Sequence, residues 1–103
     1  MRLLLVLCCL LSGCAHSTLT AEAARSRVKQ GALLLDVRSP GEFAEGHLAG
    51  SVNVPVNEIE STLQSLPADR RREIIVYGAG SSKARTLLLR AGYAKVEDLV
   101  SWK

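Results

Sequence analysis

The chain has 103 residues, a length that allows one small domain. It contains 13 Lys and Arg against 10 Asp and Glu, which gives a formal net charge of +3 at pH 7. That excess is too small to indicate a protein that binds nucleic acid. No internal repeat or low-complexity tract is present, so the function has to be sought in individual motifs.

The first thirteen residues are organised as an export signal. Arg2 supplies the positive n-region, residues 3–11 form an apolar core, and Leu-Ser-Gly-Cys at 11–14 supplies the cleavage site. This tetrapeptide resembles a bacterial lipobox, which implies that the Cys14 sulfur is joined to a diacylglycerol before cleavage on its N-terminal side. The apolar run is little more than half the roughly 20 residues that a membrane-spanning helix requires. A plain secretory signal is the alternative interpretation.

Lipidation of Cys14 divides the chain into three predicted segments. These are a signal at 1–13, a lipidated tether at 14–19 and a domain at 20–103. Cys8 and Cys9 leave with the signal, so the mature chain has no free thiol and no disulfide. We expect Cys14 to hold the protein to membrane lipid in the bacterial cell envelope, and Ala15 favours the periplasmic face of the outer membrane over the inner membrane. No cofactor, no metal site and no nucleic-acid partner is predicted.

The domain begins with a helix that leads into a buried strand. Thr20 is a plausible N-cap, Lys29 lies in the last turn, and Gly31 follows the end of the helix. Residues 32–37, Ala-Leu-Leu-Leu-Asp-Val, then predict a strand that is buried on both faces.

A capping box follows this strand. Ser39 fits the N-cap, Pro40 the first helical position and Glu42 the third, so a short helix is predicted. The glycine-flanked segment 46–50 breaks this helix, and residues 51–54 form a second, smaller strand.

These segments carry a resemblance to a known family. Asp-Val-Arg at 36–38, Ser-Pro-Gly-Glu-Phe at 39–43 and Gly-His-Leu-Ala-Gly-Ser-Val-Asn-Val-Pro at 46–55 are similar to motifs of the rhodanese-like family. The residues of the shared pattern are Asp36, Arg38, Glu42, His47, Gly50, Asn53 and Pro55. Structural roles are expected for them: Arg38 pairs with a nearby carboxylate, and His47 ties its turn together by hydrogen bonds.

The second half continues the alternation of helices and strands. Asn57 is predicted to cap a helix that ends at Pro67, residues 74–77 form the central strand, and residues 95–99 form a last, half-exposed strand. Strands separated by helices and short loops predict an α/β fold with a small parallel β-sheet and helices on both faces. The Arg triplet at 70–72 is either a patch for anionic lipid or a solvated turn.

The loop after the central strand departs from the family. The resemblance implies a catalytic Cys there, followed by about five residues whose amides, with a helix N-terminus, lower the thiol pKa and hold a persulfide. Gly78 occupies the Cys position. The loop 78–82 is predicted to be two or three residues shorter than in the family, with Ser81 or Ser82 capping the next helix. We therefore predict no catalytic residue and no enzyme.

Two other uses of this loop remain open. A nucleophilic Ser81 or Ser82 would require an adjacent base, which neither His16 nor His47 provides. An anion site is the better alternative, because glycine leaves the amides accessible and the helix dipole favours negative charge. Its candidate residues are Gly78, Ala79, Gly80, Ser81, Ser82 and Lys83. The structural alternative is an ordinary N-capped helix.

The sequence therefore favours a non-catalytic rhodanese-like domain on a bacterial lipoprotein that acts as a binding or interaction module. The alternatives are a sulfurtransferase whose partner supplies the thiol, and an anion-binding domain. The family usually continues beyond the last strand with a Gly-Gly turn and a Trp-bearing helix. Here the domain is predicted to be short at its C-terminus, or to use Trp102 as a reduced form of that element.

Overall fold

The computed structural model of the protein describes residues 19–102. The predicted signal and the lipidation site at Cys14 lie outside the described residues. Within residues 19–102, no helix is long and apolar enough to cross a membrane.

Within residues 19–102, four strands alternate with four α-helices. In order they are α1 (Ala21–Lys29), β1 (Leu33–Asp36), α2 (Pro40–Glu45), β2 (Val52–Asn53), α3 (Ile59–Thr62), β3 (Ile74–Tyr77), α4 (Ser81–Arg90) and β4 (Val96–Leu99). The strands form one parallel sheet in the order β2-β1-β3-β4. The predicted α/β fold with a small parallel sheet is confirmed.

Each face of the sheet carries its own apolar cluster, because successive side chains of a strand point to opposite faces. Helix α1 covers one face, where the buried residues are Leu19, Ala24, Ala32, Leu34, Ile75, Tyr77 and Leu99. Helices α3 and α4 cover the other face, where the buried residues are Leu35, Val37, Val54, Ile59, Ile74, Val76, Ala84, Leu88, Tyr93 and Val96. Strands β1 and β3 are buried almost completely as a result.

Two predicted helix starts are correct and two are wrong. Thr20 Oγ1 accepts the Ala23 N–H at 3.1 Å, and Ser39 and Glu42 form the complete capping box. Asn57 does not cap a helix, since it lies in the 3₁₀ turn Val56–Glu58 and α3 begins only at Ile59.

Neither Ser81 nor Ser82 is the N-cap of α4. Gly80 takes that position with φ +89° and no side-chain hydrogen bond, and both serines lie in the first turn of the helix. The left-handed conformation of Gly80 turns the chain directly into the helix, so that its carbonyl accepts the Ala84 N–H at 3.0 Å. The loop after β3 therefore consists of residues 78–80 rather than 78–82.

Two residues of the Arg triplet at 70–72 make contacts within the domain. The Arg70 guanidinium stacks over the Tyr93 ring at 4.4 Å and donates to the Tyr93 hydroxyl at 2.7 Å. Arg72 Nε donates to the Gly31 carbonyl at 2.9 Å. The Arg71 side chain is 89% exposed, and its Nε lies 3.4 Å from Asp69 Oδ1. This geometry favours the structural turn over a lipid-binding patch.

Gly50 is expected to tolerate substitution poorly. Its φ of +83° belongs to the left-handed region, although a Cβ built there would meet only Val28 Cγ1, at 3.6 Å. Gly50→Val should therefore lower the free energy of unfolding by about 1–3 kcal/mol through backbone strain. Chemical denaturation measures this loss of stability. Gly41→Ala is the control, because Gly41 has open space around it and no positive φ. Equal stability of both variants would show that φ at Gly50 is not required.

Candidate functional site

A crevice of about 310 Å³ opens at the carboxyl ends of β1, β2 and β3. Open parallel sheets usually bind ligands at this edge. The lining comes from the segments that follow the three strands: Val37, Arg38, Ser39, Pro40, Glu42, Pro55, Val56, Asn57, Glu58 and Ala79.

A buried ion pair lies behind this crevice. Asp36 is fully buried at the end of β1, and its carboxylate accepts hydrogen bonds from Arg38 Nη2 at 2.7 Å and from the Arg38 amide at 2.9 Å. The Tyr77 hydroxyl donates to the same carboxylate at 2.8 Å. Arg38 Nη2 also donates to the Gly46 carbonyl at 2.7 Å. The predicted pairing of Arg38 with a carboxylate is confirmed.

The network keeps Asp36 ionised. Burial by itself would raise the pKa of Asp36, but the hydrogen bonds from Arg38 and Tyr77, together with the Arg38 charge, outweigh burial and lower this pKa below its usual value. The same carboxylate raises the pKa of Arg38. Burial raises the pKa of the Tyr77 hydroxyl, which therefore remains a proton donor to Asp36.

The other motif residues connect neighbouring segments. Asn53 Nδ2 donates to the carbonyls of Asp36 and Arg38 at 2.9 and 3.0 Å, which joins β2 to the end of β1. The His47 ring stacks on Phe43 with centroids 3.6 Å apart, and its Nδ1 lies 2.8 Å from the Phe43 carbonyl oxygen. The hydrogen bond predicted to tie the turn of His47 together is present.

Gly78 has no room for a side chain. Its φ is +107°, and a Cβ built on it would lie well inside van der Waals contact of Arg38 Cγ and 3.2 Å from Arg38 Cδ. The Arg38 side chain is only 10% exposed, and its guanidinium is ion-paired with Asp36. Moving this side chain away from position 78 would therefore break the ion pair. Arg38 thus occupies the space into which a side chain at position 78 would project.

The candidate anion-binding residues are only partly brought together. Of Gly78, Ala79, Gly80, Ser81, Ser82 and Lys83, only Ala79 lines the crevice. The lining includes two acidic residues, Glu42 and Glu58, beside the ion-paired Arg38, and this balance of charges does not favour an anion there. Arg85, in the second turn of α4, donates its Nε to the Val96 carbonyl at 2.9 Å, which directs its guanidinium towards β4. Among residues 19–102, no group of three or more His, Cys, Asp or Glu side chains could hold a metal ion.

Sequence reasoning missed Tyr77 and left the packing of Trp102 as one of two alternatives. The Tyr77 hydroxyl joins Asp36 to the Leu48 amide, which donates to it at 3.0 Å. Trp102 packs 4.8 Å from the Tyr77 ring, and the Arg38 guanidinium lies 4.4 Å from the Trp102 ring. An aromatic residue at the end of an aliphatic strand was the available signal, since Tyr77 pairs with Asp36 across the parallel ladder.

The model of the family described as rhodanese-like domain matches residues 20–100. The chain belongs to this family. It is 30% identical to thiosulfate sulfurtransferase PspE of Escherichia coli over 67 residues, which is 62% of this chain and 64% of that protein. It is 31% identical to the chloroplastic thiosulfate sulfurtransferase 16 of Arabidopsis thaliana, over 82% of this chain and 81% of that protein.

Solved structures agree with this assignment. The human single-domain sulfurtransferase TSTD1 superposes with a TM-score of 0.67 at 30% identity, covering 82% of this chain and 88% of that one. The rhodanese-like domain is thus related to sulfurtransferases in both sequence and fold. Because the chain spans only 64% of the length of the E. coli relative, the activity of that whole protein does not transfer to it directly.

Proposed function

We propose that this protein is a non-catalytic rhodanese-like domain, anchored to a bacterial membrane, that serves as a binding module. The observation that carries the proposal is the contact region between Gly78 and Arg38. A glycine with positive φ stands where the family places its nucleophile, and an ion-paired arginine fills the space beside it. At the position where the family resemblance implies a reactive side chain, this protein has a packing contact between Gly78 and Arg38.

The chemistry of sulfur transfer supports this proposal. A thiolate must attack the donor sulfur, carry it as a persulfide and release it to an acceptor. Residues 15–103 contain no Cys, and the two His residues of the whole chain are His16 and His47. His47 stacks on Phe43, and its Nδ1 lies 2.8 Å from the Phe43 carbonyl oxygen.

Intact-mass measurement of residues 15–103 after incubation with thiosulfate tests the proposal. We expect an unchanged mass, because the fragment has no atom on which a persulfide can form. A cyanide-labile sulfur adduct on the fragment would contradict the non-catalytic reading. A sulfurtransferase relative treated in parallel controls for the reactivity of the donor.

An alternative function is that the domain takes part in sulfur transfer together with a partner protein. In it, a partner protein supplies the thiol while this domain supplies the scaffold, as the similarity to proteins named sulfurtransferases favours. The crevice of about 310 Å³ would then receive part of that partner. An anion-binding role has weaker support, because Glu42 and Glu58 line the same crevice.

We also propose that the protein is attached through an acylated Cys14 at the periplasmic face of the outer membrane. Two or three acyl chains bind a bilayer far more firmly than one, at about 0.8 kcal/mol per buried methylene. The protein should therefore remain with membranes through a high-salt wash, and Cys14→Ser should release it into the soluble fraction. Equal membrane retention of the two proteins would place the anchor elsewhere.

A further inference from the structure

The direction of α1 determines where the tether joins the domain. The last turn of α1 lies at the amino ends of the strands, because Arg27 Nη1 contacts Glu73 Oε2 at 2.8 Å and Glu73 directly precedes β3. The Gly31 N–H then donates to the Val28 carbonyl and the Ala32 N–H to the Arg27 carbonyl, which turns the chain back into β1. Helix α1 therefore runs opposite to β1 across the sheet, with its first residue towards the carboxyl ends of the strands.

Leu19 holds the start of α1 at that edge. It is only 9% exposed and belongs to the apolar cluster that contains Tyr77 and Leu99, against which Trp102 packs. The nine residues of α1 extend about 13 Å, at about 1.5 Å each. The four residues of β1 extend a similar distance, at about 3.3 Å each. One helix length thus spans the sheet from its carboxyl edge, where α1 begins, to its amino edge, where α1 ends.

The reach of the tether limits how far its attachment point on the domain can lie from the membrane. Five residue spacings separate Cys14 from Leu19, which covalent geometry limits to about 18 Å in any conformation. The tether joins the domain at the start of α1, which lies at the carboxyl edge of the sheet. The amino edge is farther from this attachment point by about the length of a strand, roughly 13 Å. Because the tether joins the domain at the carboxyl edge, attachment through Cys14 favours an orientation with this edge towards the bilayer.

We propose that the carboxyl edge of the sheet faces the lipid surface, with the crevice opening beside it. The proposal rests on lipidation of Cys14, which is part of the proposed function. Val100, which follows β4 at this edge and is 72% exposed, presents an apolar side chain towards the headgroups. Any occupant of the crevice then reaches it from the membrane surface, so the partner of this module is itself associated with the membrane.

Site-specific labels on the lipidated mature protein test this orientation. The mature chain has no free thiol when Cys14 is acylated, so one introduced Cys carries the only label. Ser101→Cys places a fluorophore at the carboxyl edge, and Lys95→Cys places it just before β4 at the amino edge; both positions are exposed. Each protein is reconstituted into phosphatidylethanolamine and phosphatidylglycerol vesicles that carry an energy acceptor on the headgroups. The same labels on Cys14→Ser chains provide the unattached control.

We expect energy transfer to be several-fold higher from position 101 than from position 95, and absent for both Cys14→Ser chains. Flotation of the lipidated chains with equal transfer from the two positions, or with more transfer from position 95, would overturn the orientation alone. Failure of the acylation-competent chains to float with the vesicles would overturn the lipid anchor and this orientation with it.

Discussion

Replacing Asp36 by Ala is expected to lower the free energy of unfolding by about 3–5 kcal/mol, because it leaves the Arg38 charge without its partner inside the protein. Asp36 is fully buried and the Arg38 side chain is only 10% exposed, so water replaces the lost carboxylate poorly. The Tyr77 hydroxyl would also lose its acceptor. Urea unfolding of residues 15–103 measures this loss.

Asp69 provides a matched control for Asp36. Its Oδ1 accepts the amide of Arg71 two residues later at 2.9 Å, the same local arrangement and the same distance as between Asp36 and the Arg38 amide. Asp69 is exposed, however, so Asp69→Ala should cause a much smaller loss. Comparable losses from the two substitutions would show that the turn, rather than the buried ion pair, accounts for the effect of Asp36.

The contribution of Asp36 should also depend on pH. Its pKa is lower in the folded protein than the usual value of 3.8, so the stabilisation is complete above that value and is lost as the pH falls through the folded pKa. The difference in unfolding free energy between the unmodified fragment and Asp36→Ala should therefore decrease in strong acid and remain constant from pH 5 to neutrality. A difference that instead grew on acidification would contradict the ionised state of Asp36.

Gly78→Cys is expected to destabilise the domain by at least about 3 kcal/mol. The new Cβ would strain a backbone with φ +107° and displace the Arg38 side chain from Asp36. Ala79→Cys is the matched control, since it places the same thiol one residue further along the loop, at an exposed position without positive φ. Thermal and urea unfolding should separate the two variants clearly. If Gly78→Cys unfolded at the same urea concentration as Ala79→Cys, the space beside Gly78 would not be closed as described.

Features encoded by neighbouring residues could be predicted from the sequence. The capping box needs only Ser39, Pro40 and Glu42, and the apolar runs at 32–37 and 74–77 gave the two central strands of the sheet. Asp36 and Arg38 are two residues apart, so their pairing was also within reach of local reasoning.

Features that depend on distant residues could not be predicted in this way. The serines at the start of α4 satisfy the usual preference for an N-cap, but Gly80 sets the chain direction one residue earlier and removes that role from them. The closure of the space beside Gly78 depends on the path of Arg38, which is fixed by Asp36, Gly46 and the Trp102 ring together. No spacing in the sequence indicates that these groups converge.

We propose that this chain has the rhodanese-like fold without its sulfur chemistry. Cyanide-dependent thiocyanate production from thiosulfate tests this proposal most directly. Residues 15–103 should be assayed unmodified and as Gly78→Cys and Ala79→Cys, with a sulfurtransferase relative as the positive control. We expect no turnover by the unmodified fragment. Little is expected from either variant, because a thiol in this short loop keeps a pKa near its free value of about 8.5 and forms little thiolate at neutral pH. Turnover by the unmodified fragment would contradict the account.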